Sequence, residues 1–246
     1  MRGMKSARAS VLLIAGLVAG CAPMGGLTTG AMAPRVFDLS AGSNMAGGSH
    51  AVSARLQNLQ IVVDEPTAVR SLDGDMILVA MSSAEITSLA KATWSDRLPR
   101  LVQARMIEAL SAGQVFKSVG SGDSKASADI VISGELRAFQ IEAIPGNDVA
   151  RVAINVRLID DRSAKVVASR LFNVSREVGE KTTDASVVAL NDAFSDVLGQ
   201  ITDWSIATLD PKATRAKLRP IVPAPESGAT RSKHPGLVSQ YDPSKS

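Results

Sequence analysis

The chain has 246 residues, a formal net charge of +3 and one cysteine, and 45% of its residues are hydrophobic. Its first twenty residues contain three basic side chains and no acidic one, so the remainder is neutral, with 24 basic and 24 acidic residues. The sequence pI of about 9.2 therefore gives no indication of nucleic-acid binding. A single cysteine also excludes an intramolecular disulfide.

The first twenty residues have the pattern of an export signal. A positively charged stretch precedes an apolar run at 11–20. As a helix, this run of about ten residues would be roughly 15 Å long, against a bilayer core of about 30 Å. It is too short to span a membrane, so a cleaved signal peptide at 1–20 is expected. The basic residues are Arg2, Lys5 and Arg8.

The signal ends in Val18-Ala19-Gly20-Cys21, which resembles the lipobox of bacterial lipoproteins. The resemblance implies that the Cys21 thiol takes a diacylglycerol, that the chain is cut before Cys21, and that the new amine receives a fatty acid such as palmitate. Ala22 follows, where aspartate would retain an enteric lipoprotein in the inner membrane. The periplasmic side of the outer membrane is therefore favoured over the inner membrane. The alternatives are an ordinary signal peptide with a chance cysteine and a buried structural thiol.

Composition divides the rest of the chain into three parts. Residues 21–34 are rich in Gly, Met, Thr and Ala, and they are predicted to form a flexible tether. Residues 35–209 are predicted to form one domain that is large enough to bury a core. Residues 210–246 are rich in proline and basic residues and have no apolar period, so they are predicted to be a disordered basic tail.

Short apolar stretches between turn residues predict a β-rich domain. Alternation of apolar residues in the second half of the domain predicts three long strands, and the slip in phase between Leu136 and Phe139 predicts a β-bulge. The sequence IPGND at 144–148 predicts a hairpin turn. The predicted strands lie at 36–39, 56–66, 75–82, 86–92, 128–143, 149–160 and 166–178.

Two helices are predicted from apolar residues that recur every three or four positions. The first runs from Trp94 to Leu110, with Asp96 as its N-cap, Pro99 in its first turn and Gly113 at its end. The second begins near Thr183 or Asp184 and ends near Thr208. The predicted fold is a single α+β domain, a mainly antiparallel sheet with both helices on one face.

The sequence offers few residues for chemistry. His50 and His234 lie in segments predicted to be a loop and the tail, and GSGDSK at 120–125 lacks the spacing of a phosphate-binding loop and follows no clear strand. No candidate base is near a candidate nucleophile. We therefore expect no catalytic residue, no metal and no cofactor, and a protein that is not an enzyme.

Four side chains of the predicted helices have two interpretations each. Trp94 and Trp204 are more often core residues than ligand-stacking residues in such positions. A solvated helix face typically carries charges such as those of Arg97, Arg100 and Arg105. The candidate residues for binding a partner are Arg97 and Arg100.

Several stretches together resemble the ABC-type transport auxiliary lipoprotein family, which includes paraquat-inducible protein C. They are FDLS at 37–40, the segment ILVAMSSAEITSLAKATWSDRLPRLVQARMIEAL, the strand ADIVISGELRAFQIE and the closing helix VVALNDAFSDVLGQITDWSI. The likeness covers about 35–207, and WSDRLP at 94–99 is its most specific part.

The resemblance implies a non-catalytic component of an intermembrane lipid transport system. Its implied partners are an ABC permease, an ATPase and a periplasmic protein with a mammalian-cell-entry domain, and self-association into a homo-oligomer is a further expectation. Two other functions stay open, namely a lipoprotein chaperone or plug for outer-membrane assembly and a structural lipoprotein that binds peptidoglycan.

Overall fold

The computed structural model describes residues 33–40, 53–122 and 127–210. The described ranges do not include the residues predicted to form the signal peptide at 1–20, the lipidated Cys21 or the tether up to residue 32. His50, His234 and the tail beyond Asp210 also lie outside them. None of the described helices is both long and apolar enough to cross a membrane.

Nine strands and two helices make up the described part of the chain. The strands are β1 (Arg35–Phe37), β2 (Gln60–Val63), β3 (Thr67–Ala68), β4 (Met76–Ala80), β5 (Ile86–Trp94), β6 (Ser118–Ser121), β7 (Ile130–Glu142), β8 (Val149–Asp160) and β9 (Lys165–Glu177). The helices are α1 (Leu98–Ala112) and α2 (Thr183–Leu209), and a single 3-10 turn occupies Leu56–Asn58.

The sheet is built around β7. Along one edge β7 pairs antiparallel with β8 over its whole length, and β8 pairs in the same way with β9. The other edge of β7 is shared by three short parallel strands, β2, β3 and β4. β5 pairs antiparallel with β4. At the outer edges of the sheet, β1 pairs parallel with β5, and β6 pairs parallel with β2. The predicted α+β class is confirmed, and the sheet is mixed.

One face of the long strands holds the core. Val152, Ile154, Val156 and Leu158 of β8 are buried, while Arg157 between them is exposed. α2 packs against β8 and β9 through a buried stripe that includes Phe194. The stripe forms because apolar residues recur every three or four positions along the helix.

The predicted bulge is present in β7. Leu136 pairs with Ile154 and Ala138 pairs with Ala153, so Arg137 has no partner on β8. The extra residue moves Phe139 and Ile141 onto the face that the helices cover, where both are buried. The apolar phase slip in the sequence therefore has its cause in the pairing of the two strands.

Several local predictions were wrong. Trp94 is the last residue of β5 and does not belong to α1, whose N-cap is Arg97, with no side chain capping it. Residues 56–58 form the 3-10 turn, so the predicted strand at 56–66 is limited to β2. Two strands were missed, β3 and β6. β6 includes the first two residues of the GSGDSK segment, which was predicted to follow no clear strand.

Other boundaries are confirmed. Pro99 lies in the first turn of α1, and Gly113 is its C-cap. Gly113 itself has an ordinary φ of −79°, and the left-handed conformation is taken by Gln114, with φ 48°. α2 is capped by Thr182, whose side-chain oxygen accepts a hydrogen bond from the Ala185 amide.

Candidate functional site

The segment that follows the predicted tether is fastened to the domain at residues 35–40. β1 adds to the edge of β5, with Arg35 opposite Ala92 and Phe37 opposite Trp94. Leu39 then enters the core and is fully buried. A short strand at a sheet edge is weakly held by itself, so the side chains that fix this segment decide its stability.

Arg105 of α1 is the main polar contact of this segment. Its Nε donates to the Leu39 carbonyl oxygen at 2.6 Å, and its Nη2 donates to the Asp38 carboxylate at 2.9 Å. The hydrogen bond to Glu108 and the charge of Asp38 raise the pKa of the guanidinium, while burial opposes them. Arg105 was expected on a solvated helix face, whereas the structure places it partly buried between α1 and the N-terminal segment.

Two further contacts complete the fastening. The Ser95 hydroxyl donates to Asp38 at 3.0 Å, and the Ser40 amide donates to the Asn191 side-chain oxygen of α2 at 3.0 Å. Upstream, Arg35 makes a two-pronged ion pair with Asp184 in the first turn of α2. We call residues 35–40 with these partners the N-terminal latch, because they join the start of the domain to both helices.

Arg97, one of the two candidate partner-binding residues, is already engaged within the domain. Its guanidinium pairs with the Asp73 carboxylate and lies 3.1 Å from the Glu65 carboxylate. The hydrogen bond to Asp73 is the main reason that the pKa of Arg97 is raised. Arg97 therefore ties the loops on either side of β3 to the start of α1 while remaining half exposed.

Arg100, the second candidate, is more available. It is well exposed, and its nearest carboxylate is that of Asp96 at 3.5 Å, one helical turn away. Exposed pairs of this kind hold an arginine only weakly. Arg97 is thus the N-cap of α1 and Arg100 lies in its first turn, and Arg100 is the more accessible of the two charges.

The two tryptophans are packing residues. Trp94 is buried and meets Phe139 edge-on at a centroid distance of 5.8 Å, and Phe139 in turn contacts Phe194 at 5.5 Å. Trp204 is partly buried and meets Phe172 edge-on at 5.5 Å. Trp94 therefore joins β5 to β7 and Trp204 joins α2 to β9, and both act as packing residues, as the sequence interpretation favoured.

Titratable groups give little support for chemistry. Within the described ranges, no three His, Cys, Asp or Glu side chains are grouped so as to hold a metal. Asp64 is the carboxyl whose pKa is raised, by burial first and by the negative charge of Asp161 second. The raised pKa follows from the position of Asp64 directly after β2, where it is partly buried and close to Asp161.

The profile of the family described as ABC-type transport auxiliary lipoprotein component matches residues 43–202 of the chain, which is more than half of it. The chain belongs to this family. The match includes β2 to β9, α1 and most of α2, and it begins after the latch segment, whose FDLS sequence also carried the resemblance. Membership confirms the family predicted from the sequence, and its name describes an accessory part of a transporter and a lipoprotein.

Two solved structures share the fold of this chain at low sequence identity. A crystal structure of a Xanthomonas campestris protein superposes with a TM-score of 0.61 at 20% identity, covering 71% of this chain and 96% of that one. The crystal structure of another uncharacterized protein gives a TM-score of 0.54 at 12% identity, covering 70% and 99%. These likenesses establish the fold alone.

A longer relative matches by sequence. An uncharacterized protein of Bradyrhizobium diazoefficiens is 29% identical over 192 residues, which are 78% of this chain and 50% of the relative. The auxiliary lipoprotein thus spans about half the length of the curated relative that it matches.

Proposed function

We propose that the protein is a lipid-anchored, non-catalytic component of an ABC-type system that moves lipids between the inner and outer membranes. It would lie on the periplasmic side of the outer membrane, with an ABC permease, an ATPase and a mammalian-cell-entry-domain protein as its partners. Family membership and the lipobox-like residues before Cys21 support this proposal.

The observation that carries the proposal is the N-terminal latch. A lipid anchor holds a domain closer to its membrane when the start of the folded region is packed on the core, because the free tether is then shorter. Leu39 provides that fixation by burial, and Asp38 provides it by hydrogen bonds to Arg105 and Ser95. Any pull along residues 21–34 is thus transmitted to α1, α2 and β5. This is the arrangement expected of a docking component that must stay close to its membrane while it holds a partner.

Lipid anchoring is tested by the variant Cys21→Ser. Three acyl chains exceed the two signals needed for stable membrane attachment, so the unmodified protein should fractionate with the outer membrane. In Cys21→Ser, incorporation of labelled palmitate and outer-membrane fractionation should both be lost. Labelling that persists in the variant would refute lipidation at this residue.

Capture of the transport partners is tested with Arg100→Ala. The variant should bind the mammalian-cell-entry-domain protein more weakly than the unmodified protein, with a larger difference at low salt, because exposed charges are screened at high ionic strength. Arg162→Ala is the matched control, since Arg162 is highly exposed in the turn before β9. Equal affinity in both variants would exclude Arg100 from the interface, and failure to capture any transporter subunit would favour one of the other envelope functions.

A further inference from the structure

One end of the sheet carries three exposed apolar side chains. Met81, Ile86 and Ile144 have 50%, 52% and 45% of their surface exposed. All three lie at the β4–β5 and β7–β8 turns. We call this end, residues 81–86 and 143–148, the apolar tip.

Backbone pairing brings the two turns together at Ala80. Ala80 pairs with Ile86 in β5 and with Glu142 in β7. The Ala143 amide donates to the Ala80 carbonyl oxygen at 2.9 Å, and the Met81 amide donates to the Glu85 carbonyl oxygen at 2.9 Å. The three apolar residues therefore surround a single point at the end of the sheet, and they are not scattered over its surface.

Charge is sparse within the apolar tip. Each turn contains one acidic residue, Glu85 or Asp148, and no basic residue. Asp148 has a partner, the Lys181 ammonium at 3.5 Å. The remaining residues of the apolar tip are small or uncharged, namely Ser82, Ser83, Ala84, Ala143, Pro145, Gly146 and Asn147.

The chain also enters the domain from the side of the apolar tip. β1 runs parallel to β5, which starts at Ile86 and reaches Ala92 opposite Arg35. From Arg35 to Phe37 the chain therefore runs away from the Ile86 end, so β1 begins on the side of the apolar tip. A tether of about 14 residues has a reach of about 20 Å, since a flexible chain spans about 5–6 Å times the square root of its length.

The opposite end of the sheet lies much farther from this point of entry. β7 extends for 13 residues from Ile130 to Glu142. Met76 of β4 lies opposite Thr93, the neighbour of Ala92, and Leu78 pairs with Gln140, so Arg35 is about level with residue 138 of β7. At about 3.3 Å per residue, this level is about 13 Å from the Glu142 end and about 26 Å from the Ile130 end. A membrane that holds the acyl chains of Cys21 is thus within reach of the apolar tip, and the opposite end of β7 is beyond the tether's typical reach.

We infer that the apolar tip rests in the lipid surface that holds the protein's own anchor, with Met81, Ile86 and Ile144 entering the boundary between headgroups and acyl chains. This inference rests on the proposed lipidation of Cys21. Apolar side chains on a small protruding surface gain free energy when they leave water for that boundary. The tip then acts as a second contact that fixes the orientation of the domain on its membrane.

The test uses full-length lipidated protein in vesicles of phosphatidylethanolamine and phosphatidylglycerol. Cys21 is the only cysteine and is consumed by the lipid, so Met81→Cys, Ile86→Cys and Ile144→Cys each supply one free thiol for an environment-sensitive fluorophore. Val166→Cys is the matched control. Val166 is an equally exposed apolar residue, at 54%, and it pairs with Ile159 at the other end of the long strands.

We expect the three tip labels to shift to shorter wavelength and to be quenched by a spin-labelled lipid at least twice as strongly as the label at residue 166. Iodide should quench mainly the label at residue 166. Equal access to iodide at all four positions would overturn the inference. Protection at the tip without quenching by lipid would also overturn it, because another copy of the chain would then cover the tip.

Flotation of the same samples separates the two proposals. Unlabelled protein that does not float with the vesicles refutes the lipid anchor and, with it, this placement of the tip. Protein that floats while its tip labels stay accessible to iodide refutes only the contact of the tip with lipid. Melting temperatures within a few degrees of the unmodified protein confirm that each cysteine variant is folded.

Discussion

Replacing Leu39 by Ala should loosen the N-terminal latch and lower the stability of the whole domain. Leu39 is fully buried, and the substitution removes three carbons. At about 0.8 kcal/mol for each buried CH2 the transfer loss is about 2.4 kcal/mol. The cavity that remains brings the expected loss to about 2–5 kcal/mol. The loss is large because a domain of this kind has only about 5–15 kcal/mol of stability in total.

Urea denaturation measures this loss, and Val36→Ala is the matched control. Val36 lies three residues away in β1 with 67% of its surface exposed, so its truncation should change the free energy of unfolding by no more than about 0.5 kcal/mol. Hydrogen exchange at the β1–β5 pairing then shows where the loss acts, since amides there should exchange faster in Leu39→Ala than in Val36→Ala. Equal stability of the two variants would show that the latch segment contributes nothing to the core, and the structural basis of the proposed function would fail with it.

Three other substitutions test the packing of the core and the effect of pH on the stability of the fold. Trp94→Ala should lower the free energy of unfolding by about 3–5 kcal/mol. Trp204→Ala should lower it by less, because Trp204 is only partly buried. If chemical denaturation gave the larger loss for Trp204→Ala, the packing described for the aromatic residues would be contradicted. Burial and the charge of Asp161 raise the pKa of Asp64 in the folded state. The folded protein therefore loses stability as the pH rises from the ordinary pKa of aspartate through the raised pKa of Asp64. Asp64→Asn should therefore raise the melting temperature at about pH 7 and have little effect at about pH 3, and an equal gain at both values would refute this cause.

The sequence predicted the elements whose pattern is local. The alternation from Val152 to Leu158 is clean because one face of β8 is buried along its whole length, and α2 shows a helical period because a continuous stripe packs on the sheet. The bulge beside Arg137 was also predictable, since an extra residue must shift the apolar phase. In each case the burial that shapes the element leaves a repeating signal within it.

The elements that were missed depend on distant partners. β3 has two residues and exists because it pairs with Glu135 and Leu136 of β7. β6 has the sequence SVGS, which shows no run of apolar residues, and it is held by β2. Propensity in so short a segment is overridden by tertiary pairing. A single sequence therefore contains no local signal for either strand.

The candidate site could be predicted only in part, because its contacts also join residues that are far apart in the sequence. The arginines of α1 look alike in the sequence, yet Arg105 binds the N-terminal latch, Arg97 pairs with loop carboxylates and Arg100 is the most available. The acid that distinguishes Arg105 is Asp38, 67 positions earlier in the chain. Asp38 lies in the FDLS sequence, but no spacing rule connects it to Arg105, because the fold brings the two residues together.

The shared edge of β7 has a consequence for the order in which the domain can assemble. β7, β8 and β9 are joined by short turns, so their pairing closes only small loops. β3, in contrast, has no described strand partner but β7, and β2 and β4 gain a second neighbour only when β7 is present. Contacts across such long separations form slowly. As the chain is synthesised, residues 60–80 must therefore wait for residues 130–142 before their sheet is complete.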